Sequence, residues 1–269
     1  MAIEPINFVV FLMGPTASGK TELAIEISKH INSKLISVDS ALIYRGMDIG
    51  TAKPSKEILA AHPHELVDIC EPEDSFSVTE FISLAKEHIK SALAEGKLPI
   101  LVGGTSFYFN ALEHGLSELP SSTDESRKHF NDLLKSEGSV KLHSKLAEID
   151  PKSAARIHSN DSQRVTRALE VFHLSGEILS KLQGKKNQNK LDLNIKKIVL
   201  MPDRAMLHQR IEQRFIKMIK DGFLDEVETL RKNAKLNLDL ASMRCVGYRQ
   251  AWNYFEGNYS KQEMIEKAI

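Results

Sequence analysis

Short apolar runs alternate with amphipathic segments in the first part of the chain. Asn7–Met13 (NFVVFLM) is a continuous apolar run rich in β-forming residues, which predicts a buried strand. Lys34–Val38 and Leu98–Val102 have the same character and predict two further strands. Lys20–His30 and Val78–Ala94 instead place apolar residues at helical spacing. Strands that alternate with helices predict βαβ units, and therefore an α/β fold with a parallel sheet.

The pattern becomes helical and charged from Thr123 to about Ser180, which predicts a helical insertion or lid. A strand returns at Ile195–Met201. We therefore predict a core domain of residues 1–120 and 186–269, interrupted by a helical insertion domain of residues 121–185. The last part of the chain predicts further helices at Arg204–Lys220 and Leu224–Lys232, and a helical stretch around Tyr248–Phe255.

The composition is that of a chain with a hydrophobic core, with 42% hydrophobic and 27% charged residues. Lys plus Arg equals Asp plus Glu at 36 each, which argues against a wholly basic nucleic-acid binder but allows a local basic surface. We expect no membrane-spanning helix and no secretory signal, because no long apolar run and no basic N-terminal region are found. The two isolated cysteines, Cys70 and Cys245, favour a reduced, cytoplasmic protein.

The segment after the first strand matches the phosphate-binding pattern G-x-x-x-x-G-K-[ST], and it opens a helix as this pattern requires. Its glycines let backbone N–H groups converge on phosphate oxygens, and the helix N-terminus adds positive potential. We expect the lysine to reach the terminal phosphate and the threonine hydroxyl to ligate Mg²⁺. The residues of this loop are Gly14, Pro15, Thr16, Ala17, Ser18, Gly19, Lys20 and Thr21.

The loop alone does not select its ligand, because its backbone donors bind any di- or triphosphate. A kinase of a nucleotide or small metabolite is therefore one interpretation. A GTPase is not expected. Asn189–Asp192 spells the guanine-reading N-K-x-D motif, but it lies in the polar loop 184–189 and its continuation, before a strand rather than after one. No D-x-x-G switch segment follows an apolar strand.

Asp39 closes the second predicted strand, and Thr105 follows the third. Ligands bind outside the carboxyl ends of the strands in open parallel sheets, so both residues should meet the phosphate loop. Three roles are open for Asp39: a magnesium ligand through water, a general base for the acceptor, or a turn cap.

Three other features have plainer interpretations. His62–His64 (HPH) has no third ligand and is predicted to be a surface turn rather than a metal site. Cys245 is predicted to pack rather than react. Trp252, Tyr254 and Phe255 are predicted to be core residues rather than a stacking platform for bases.

Six segments resemble, in order, the signatures of the bacterial tRNA dimethylallyltransferases, also called tRNA isopentenyltransferases. The resemblance runs from about Phe11 to Gly257. Many families share the first segment, whereas the later ones are more specific. The segments are Gly14–Thr21, Ile36–Pro54, Leu101–Phe109, Asp150–Phe172, His208–Phe215 and Arg244–Gln250.

The resemblance implies a P-loop NTPase-like three-layer fold and a magnesium-dependent alkyl transfer. The phosphate loop would hold dimethylallyl diphosphate, and the N6 amine of the adenine 3′ of the tRNA anticodon would attack the prenyl carbon. Asp39 matches the family's proposed base, while Thr21 and Lys20 would stabilise the leaving diphosphate. Thr105 would lie beside the acceptor, and Arg214 matches an arginine that meets the diphosphate or the acceptor.

The resemblance also implies a set of tRNA contacts, and we expect the protein to be a monomer. Members of the family continue for some tens of residues beyond the position of Ile269, so we interpret the chain as C-terminally truncated relative to them. The implied contacts are Asp39, Ser40, Ala41, Leu42, Thr105, Arg127, Gln163, Arg164, Val165, Thr166, Arg167, Arg244, Cys245, Val246, Gly247, Tyr248 and Arg249.

Three alternative functions remain beside this one. An isopentenyltransferase of free adenine nucleotides would use the same donor without tRNA, but the clusters Gln163–Arg167 and Arg244–Arg249 favour a large polyanionic acceptor. A P-loop kinase would share the sheet, the loop and a helical lid. A non-catalytic RNA-binding module would have little use for an intact phosphate loop beside Asp39.

Overall fold

The structure is a computed structural model that describes residues 6–183 and 190–269. Residues 1–5 and the loop predicted at 184–189 lie outside the described residues, and so does Asn189 of the N-K-x-D motif. The chain divides into a core unit, Met1–Glu113 with Leu191–Ile269, and a helical unit, His114–Lys190. We predicted these boundaries from the sequence at 120/121 and 185/186. The helical unit extends further at both ends, because the chain leaves the sheet region as soon as the helix Ser106–His114 ends.

The described part of the core unit contains a five-stranded sheet with the strand order β3-β2-β4-β1-β5. Every pairing in it is parallel. The predicted α/β fold with a parallel sheet is therefore confirmed, and only the two-residue edge strand is additional. The strands are Phe8–Met13 (β1), Ser33–Val38 (β2), His64–Glu65 (β3), Leu98–Gly103 (β4) and Asn194–Val199 (β5).

Three predicted helices, α1, α3 and α10 in the list below, have the predicted bounds, and α12 lies in the stretch predicted around Tyr248–Phe255. None of the helices among the described residues combines the length and the apolar character needed to cross a membrane. The helices are Lys20–His30 (α1), Lys56–Ala61 (α2), Val78–Ala94 (α3), Ser106–His114 (α4), Asp124–Glu137 (α5), Ser139–Ile149 (α6), Pro151–Ala154 (α7), Ser162–Ser175 (α8), Leu179–Leu182 (α9), Arg204–Lys220 (α10), Phe223–Arg231 (α11), Tyr248–Phe255 (α12) and Lys261–Ala268 (α13).

Strand β1 is buried on both faces, as expected for the centre of a parallel sheet. On one face, Leu12 joins an apolar cluster with Ala24 of α1. On the other face, the ring of Phe11 packs on Phe109 of α4 with ring centroids 5.0 Å apart. Helices therefore cover both faces of the sheet, which gives the three layers that the sequence implied.

A second apolar cluster joins the segment after β2 to the C-terminal helices of the core unit. Met47 is fully buried there with Phe223 and Tyr248. Gly50 lies against the same two rings, because a Cβ at this position would come within 2.3 Å of Phe223. The close approach holds the loop between β2 and α2 against α11 and α12.

The helical unit has a separate core formed mainly by α5, α6 and α8, with Leu142, Leu146 and Val165 almost fully buried. A buried carboxylate, Glu170 on α8, supplements this apolar packing. The predicted all-helical character of the segment is observed throughout its described residues.

Glu170 links α8 to the beginning of the helical unit. Its carboxylate accepts hydrogen bonds from the Ser122 and Ser126 hydroxyls and from the guanidinium of Arg167, which also donates to the Pro120 carbonyl at 2.6 Å. Burial alone would raise the pKa of Glu170, but these hydrogen bonds outweigh it and lower the pKa. The carboxylate is therefore held in its charged form inside the unit.

We expect Glu170→Ala to lower the free energy of unfolding by about 3 kcal/mol, since Arg167 and two serines lose a buried, charged acceptor. Chemical denaturation monitored by circular dichroism measures this change, with Glu148→Ala on the exposed surface of α6 as the matched control. Because the folded pKa is lowered, the contribution of Glu170 is present above the ordinary glutamate pKa and disappears as the pH falls through the folded value. A loss no larger than the control's would contradict this role for Glu170.

Candidate active site

The phosphate loop lies between β1 and α1, where the sequence predicted it. Gly19 at its end has a φ of 88°, a left-handed conformation that suits glycine and lets the chain turn into the helix. Gly14 at its beginning is close-packed, because a Cβ there would lie 2.7 Å from the Ser18 hydroxyl oxygen. The loop is therefore a tightly constrained backbone turn at the N-terminus of α1, the arrangement that binds phosphate oxygens.

Lys20 and Arg214 place two cationic side chains at this loop. The Lys20 ammonium donates a hydrogen bond to the Pro15 carbonyl at 3.0 Å, and the Arg214 guanidinium donates to the Thr16 hydroxyl at 2.9 Å. Burial lowers the pKa of both groups, although the nearby Asp39 carboxylate opposes this effect at each. Two partly buried cations that also repel each other are stabilised when an anion binds between them.

Asp39 forms a turn directly after β2. Its Oδ1 atom accepts hydrogen bonds from the backbone N–H groups of Ala41 at 2.8 Å and Leu42 at 3.3 Å. The capping role weighed from the sequence is thus present in the structure. It involves one carboxylate oxygen, and the other accepts no hydrogen bond from the described residues, so the cap does not exclude a second role in binding or proton transfer.

Thr105 is tied to the Asp39 turn. Its hydroxyl oxygen accepts a hydrogen bond from the Ser40 N–H at 3.1 Å, and its own N–H donates to the Val38 carbonyl at 3.2 Å. Gly103 makes this close approach of the two strand ends possible, because a Cβ there would lie only 2.0 Å from the Val38 oxygen. The carboxyl ends of β2 and β4 therefore hold the Asp39 turn and Thr105 side by side.

These elements surround one small pocket of about 50 Å³. The predicted residues Lys20, Thr21, Asp39 and Arg214 all line it. Thr16 lines it as well, so the structure brings together five of the residues that were assigned to phosphate binding and catalysis. Thr105 does not line the pocket but supports its Asp39 side.

The donor set of this pocket fits a magnesium ion that arrives with a diphosphate. No cluster of three or more His, Cys, Asp or Glu side chains that could cage a metal occurs among the described residues. The Thr21 hydroxyl and the Asp39 carboxylate are hard oxygen ligands, which suit Mg²⁺ bound mainly by phosphate oxygens and water.

The segment Arg244–Arg249 combines exposed and buried side chains. Arg244, Val246 and Arg249 are exposed, and Val246 is 64% exposed. Burial raises the pKa of the Cys245 thiol to about 11, so this cysteine is uncharged at neutral pH and packs as predicted. Tyr248 is fully buried, which excludes its side chain from the contact with tRNA that the resemblance implied.

The tRNA contacts implied for the helical unit also include both exposed and buried residues. Arg127, Gln163 and Arg164 are exposed. Val165 is fully buried in the core of the unit, so its implied contact with tRNA is wrong for the side chain. The guanidinium of Arg167 already binds Glu170 and the chain segment before α5, which makes Arg167 primarily a structural residue of this unit.

Two further expectations concern His64 and Trp252. His64 is not part of a surface turn as predicted, because it pairs with Leu35 as the first residue of β3 and is partly buried, with its Nε2 atom fully buried. Its short strand gave no periodic signal. Trp252 is buried with 9% exposure, which confirms its prediction as a core residue, and the Arg231 guanidinium lies 5.4 Å from its ring centre.

Glu226 on α11 is an anchoring residue that the sequence did not reveal. Its carboxylate accepts hydrogen bonds from three consecutive backbone N–H groups, those of Asp48, Ile49 and Gly50, at 2.9, 2.7 and 3.1 Å. It also accepts from the hydroxyl of Tyr248. In the sequence, Glu226 is indistinguishable from any acidic residue of an amphipathic helix, because a carboxylate that binds backbone amides leaves no side-chain pattern.

Lys53 continues this anchoring toward the pocket. Its side chain is only 3% exposed and donates hydrogen bonds to the Tyr44 carbonyl at 2.8 Å and to Asp48 and Asp68 at 2.5 Å each. Thr51, Ala52 and Pro54 in the same loop line the pocket. Glu226 and Lys53 thus fix the wall of the pocket opposite the phosphate loop.

Fold and pocket together define a P-loop protein of the parallel α/β class, in which two cations and a carboxylate share one phosphate-sized site. A model of the IPP transferase family matches residues 42–269. The chain belongs to the IPP transferase family, as the six sequence segments implied.

Two curated relatives named tRNA dimethylallyltransferase are similar along the whole chain. The protein of Ruthia magnifica subsp. Calyptogena magnifica is 61% identical over 269 residues, which are 100% of this chain and 88% of the relative. The protein of Vesicomyosocius okutanii subsp. Calyptogena okutanii is 58% identical with the same coverage.

Solved structures show the same similarity. The tRNA isopentenylpyrophosphate transferase of Bacillus halodurans has a TM-score of 0.68 and 37% identity, covering 97% of this chain and 81% of that one. The enzyme of Staphylococcus epidermidis has a TM-score of 0.66 and 35% identity, covering 98% and 85%. A eukaryotic dimethylallyltransferase that acts on tRNA shares the fold at a TM-score of 0.76 and 23% identity, covering 98% and 66%.

We expect Glu226→Ala to lower the free energy of unfolding by about 3 kcal/mol, because three backbone N–H groups and the Tyr248 hydroxyl lose a charged acceptor. Glu226→Gln should lose less, since its amide oxygen still accepts some of these bonds. Urea denaturation measures the change, and Glu228→Ala on the exposed face of the same helix is the control. If Glu226→Ala and the control lose equal stability, the anchoring role is wrong.

Proposed function

We propose that this protein transfers a dimethylallyl group from dimethylallyl diphosphate to the N6 amine of the adenine 3′ of the anticodon in tRNA, releasing diphosphate. The observation that carries this proposal is the single pocket lined by the phosphate loop, Asp39 and Arg214 in a member of the IPP transferase family. The curated relatives that match the whole chain are named for this reaction. We also infer action as a cytoplasmic monomer, and the two free thiols suit a reducing compartment.

The phosphate loop and the two cations bind the donor in this mechanism. Backbone N–H groups of the loop, with Lys20 and Arg214, hold the diphosphate oxygens. As the C–N bond to adenine forms, the C–O bond to the diphosphate breaks and negative charge accumulates on the leaving group. The fixed positive charges of Lys20 and Arg214 stabilise this charge without reorganisation. A bound magnesium ion, held by the Thr21 hydroxyl, would add to this neutralisation.

Asp39 receives the proton that the adenine amine loses. The amine is a weak nucleophile because its lone pair is delocalised into the ring, so removal of its proton must accompany attack. The N–H groups of Ala41 and Leu42 hold one oxygen of the carboxylate and fix its plane. The other oxygen then serves as the base. Thr105 positions this turn through its bond to Ser40.

The acceptor adenine must leave its stack to reach this pocket. Exposed side chains suited to the RNA backbone lie on both units: Arg244 and Arg249 on the core unit, and Arg127 and Arg164 on the helical unit. Arginine binds phosphate oxygens in a fixed, bidentate geometry, so a few well-placed residues suffice despite the zero net charge.

Mass spectrometry of an unmodified anticodon stem-loop tests the reaction directly. Incubation with the protein, Mg²⁺ and dimethylallyl diphosphate should add C5H8 to the adenine 3′ of the anticodon. Asp39→Asn should reduce the rate by about 100-fold or more, because asparagine keeps the bonds from Ala41 and Leu42 but cannot take the proton. Asp74→Asn, an exposed carboxylate outside the pocket, is the control.

Two results would count against the proposal. Full turnover by Asp39→Asn would exclude Asp39 as the base. Absence of any C5H8 gain, together with tight ATP binding and phosphoryl transfer, would instead identify a P-loop kinase.

A second prediction concerns the contribution of the exposed arginines to RNA binding. Arg244→Ala and Arg249→Ala should each weaken stem-loop binding and reduce the slope of log affinity against log salt by about one unit or less, as for one phosphate contact. Fluorescence anisotropy at several salt concentrations measures both quantities, with the exposed Lys232→Ala as the control. An unchanged salt slope for both arginine variants would show that Arg244 and Arg249 are solvated surface residues without a phosphate contact.

A further inference from the structure

Two buried polar atoms in the phosphate pocket have no protein partner among the described residues. These are the Nε2 atom of His64 and the hydroxyl oxygen of Ser37. Both residues line the pocket together with Thr21 and Asp39, and Ser37 is only 3% exposed. Buried polar atoms without a partner are rare and costly in folded proteins, so the two atoms indicate a polar ligand at this place.

The strand register explains why the two side chains meet. His64 in β3 is paired with Leu35 in β2, and Ser37 lies two residues further along β2. Side chains two residues apart on a strand point to the same face, and so do the side chains of paired neighbours. Leu35 belongs to the apolar cluster under α1, so His64 and Ser37 lie on the face of the sheet that carries the phosphate-loop helix.

The hydrogen bonding of His64 identifies Nε2 as an acceptor. Its Nδ1 atom lies 2.8 Å from the carbonyl oxygen of His62. A carbonyl oxygen only accepts, so Nδ1 carries the hydrogen and Nε2 presents its lone pair. Burial lowers the pKa of His64 against the opposing effect of this backbone bond, which agrees with a neutral ring.

The size of the pocket bears on which polar ligand His64 and Ser37 can meet. Its volume of about 50 Å³ holds a few water molecules, since one water needs about 10–15 Å³. Mg²⁺ keeps several water ligands when it binds with phosphates, and these waters are strong hydrogen-bond donors that need acceptors.

We propose that His64 Nε2 and the Ser37 hydroxyl accept hydrogen bonds from water ligands of the magnesium ion that accompanies the diphosphate. His64 is then a positioning residue that holds the hydrated ion beside Thr21 and Asp39. The inference rests on the diphosphate site proposed above. It assigns a role in donor binding to two residues that the sequence motifs leave without one.

Two substitutions of His64 separate this role from a purely structural one. Asparagine reproduces the Nδ1 donor and keeps the bond to the His62 carbonyl, but it removes the acceptor at Nε2. Glutamine places an oxygen near the Nε2 position and loses the Nδ1 donor. Isothermal titration calorimetry with inorganic diphosphate in MgCl2 measures the effect without catalysis. We expect about a tenfold loss of affinity for His64→Asn and nearly wild-type affinity for His64→Gln.

Controls make each outcome decisive. Ser37→Ala should give a smaller loss in the same direction, and the exposed His30→Asn should give none. In EDTA, wild type and His64→Asn should bind diphosphate equally weakly. Equal affinity of wild type and His64→Asn in MgCl2 would overturn the inference, and so would a loss confined to His64→Gln, which would show that only the His62 bond matters. If the wild type itself fails to bind diphosphate with Mg²⁺, the proposed donor site is wrong, and this inference is overturned with it.

Discussion

The site depends on the close parallel pairing of two strand ends, those of β2 and β4. The backbone of Val38 at the end of β2 lies so near Gly103 at the end of β4 that no side chain fits between them. This contact allows the Thr105 N–H to reach the Val38 carbonyl and the Thr105 hydroxyl to accept from Ser40. Since β1 lies on the other side of β4, the phosphate loop that follows β1 opens at the same edge. Phosphate binding and the Asp39 turn therefore share a position that the sheet enforces.

Charge balance completes the site once the backbone has positioned it. Lys20 and Arg214 are both partly buried beside Asp39, and their burial disfavours the charged forms. One carboxylate offsets only part of two positive charges, so the pocket gains most when it receives a polyanion. The electrostatics of the pocket therefore favour an anionic ligand.

The wall opposite the phosphate loop is held by polar contacts rather than by regular secondary structure. Between β2 and α2 the chain has no continuous ladder of backbone hydrogen bonds. The Glu226 carboxylate accepts hydrogen bonds from three consecutive backbone N–H groups of this segment. The buried amine of Lys53 donates hydrogen bonds to the Tyr44 carbonyl and to two carboxylates. Such contacts fix an irregular loop as firmly as a strand, because its backbone groups are paired inside the protein.

The sequence by itself determined the elements whose cause is local. The bounds of α1, α3 and α10 were predicted from the helical pattern of the sequence, and the phosphate loop was predicted from the spacing of its glycines and its lysine. Side-chain partners across the fold were decided by tertiary structure. Tyr248 and Val165 lie in segments rich in polar residues yet point into cores, while His64 lies in a pocket because a two-residue strand places it beside Leu35. A periodic pattern indicates which face of an element is buried. The hydrogen-bond partner of an individual polar group instead depends on residues far away in the chain, as the bond from the Gly50 N–H to Glu226 shows.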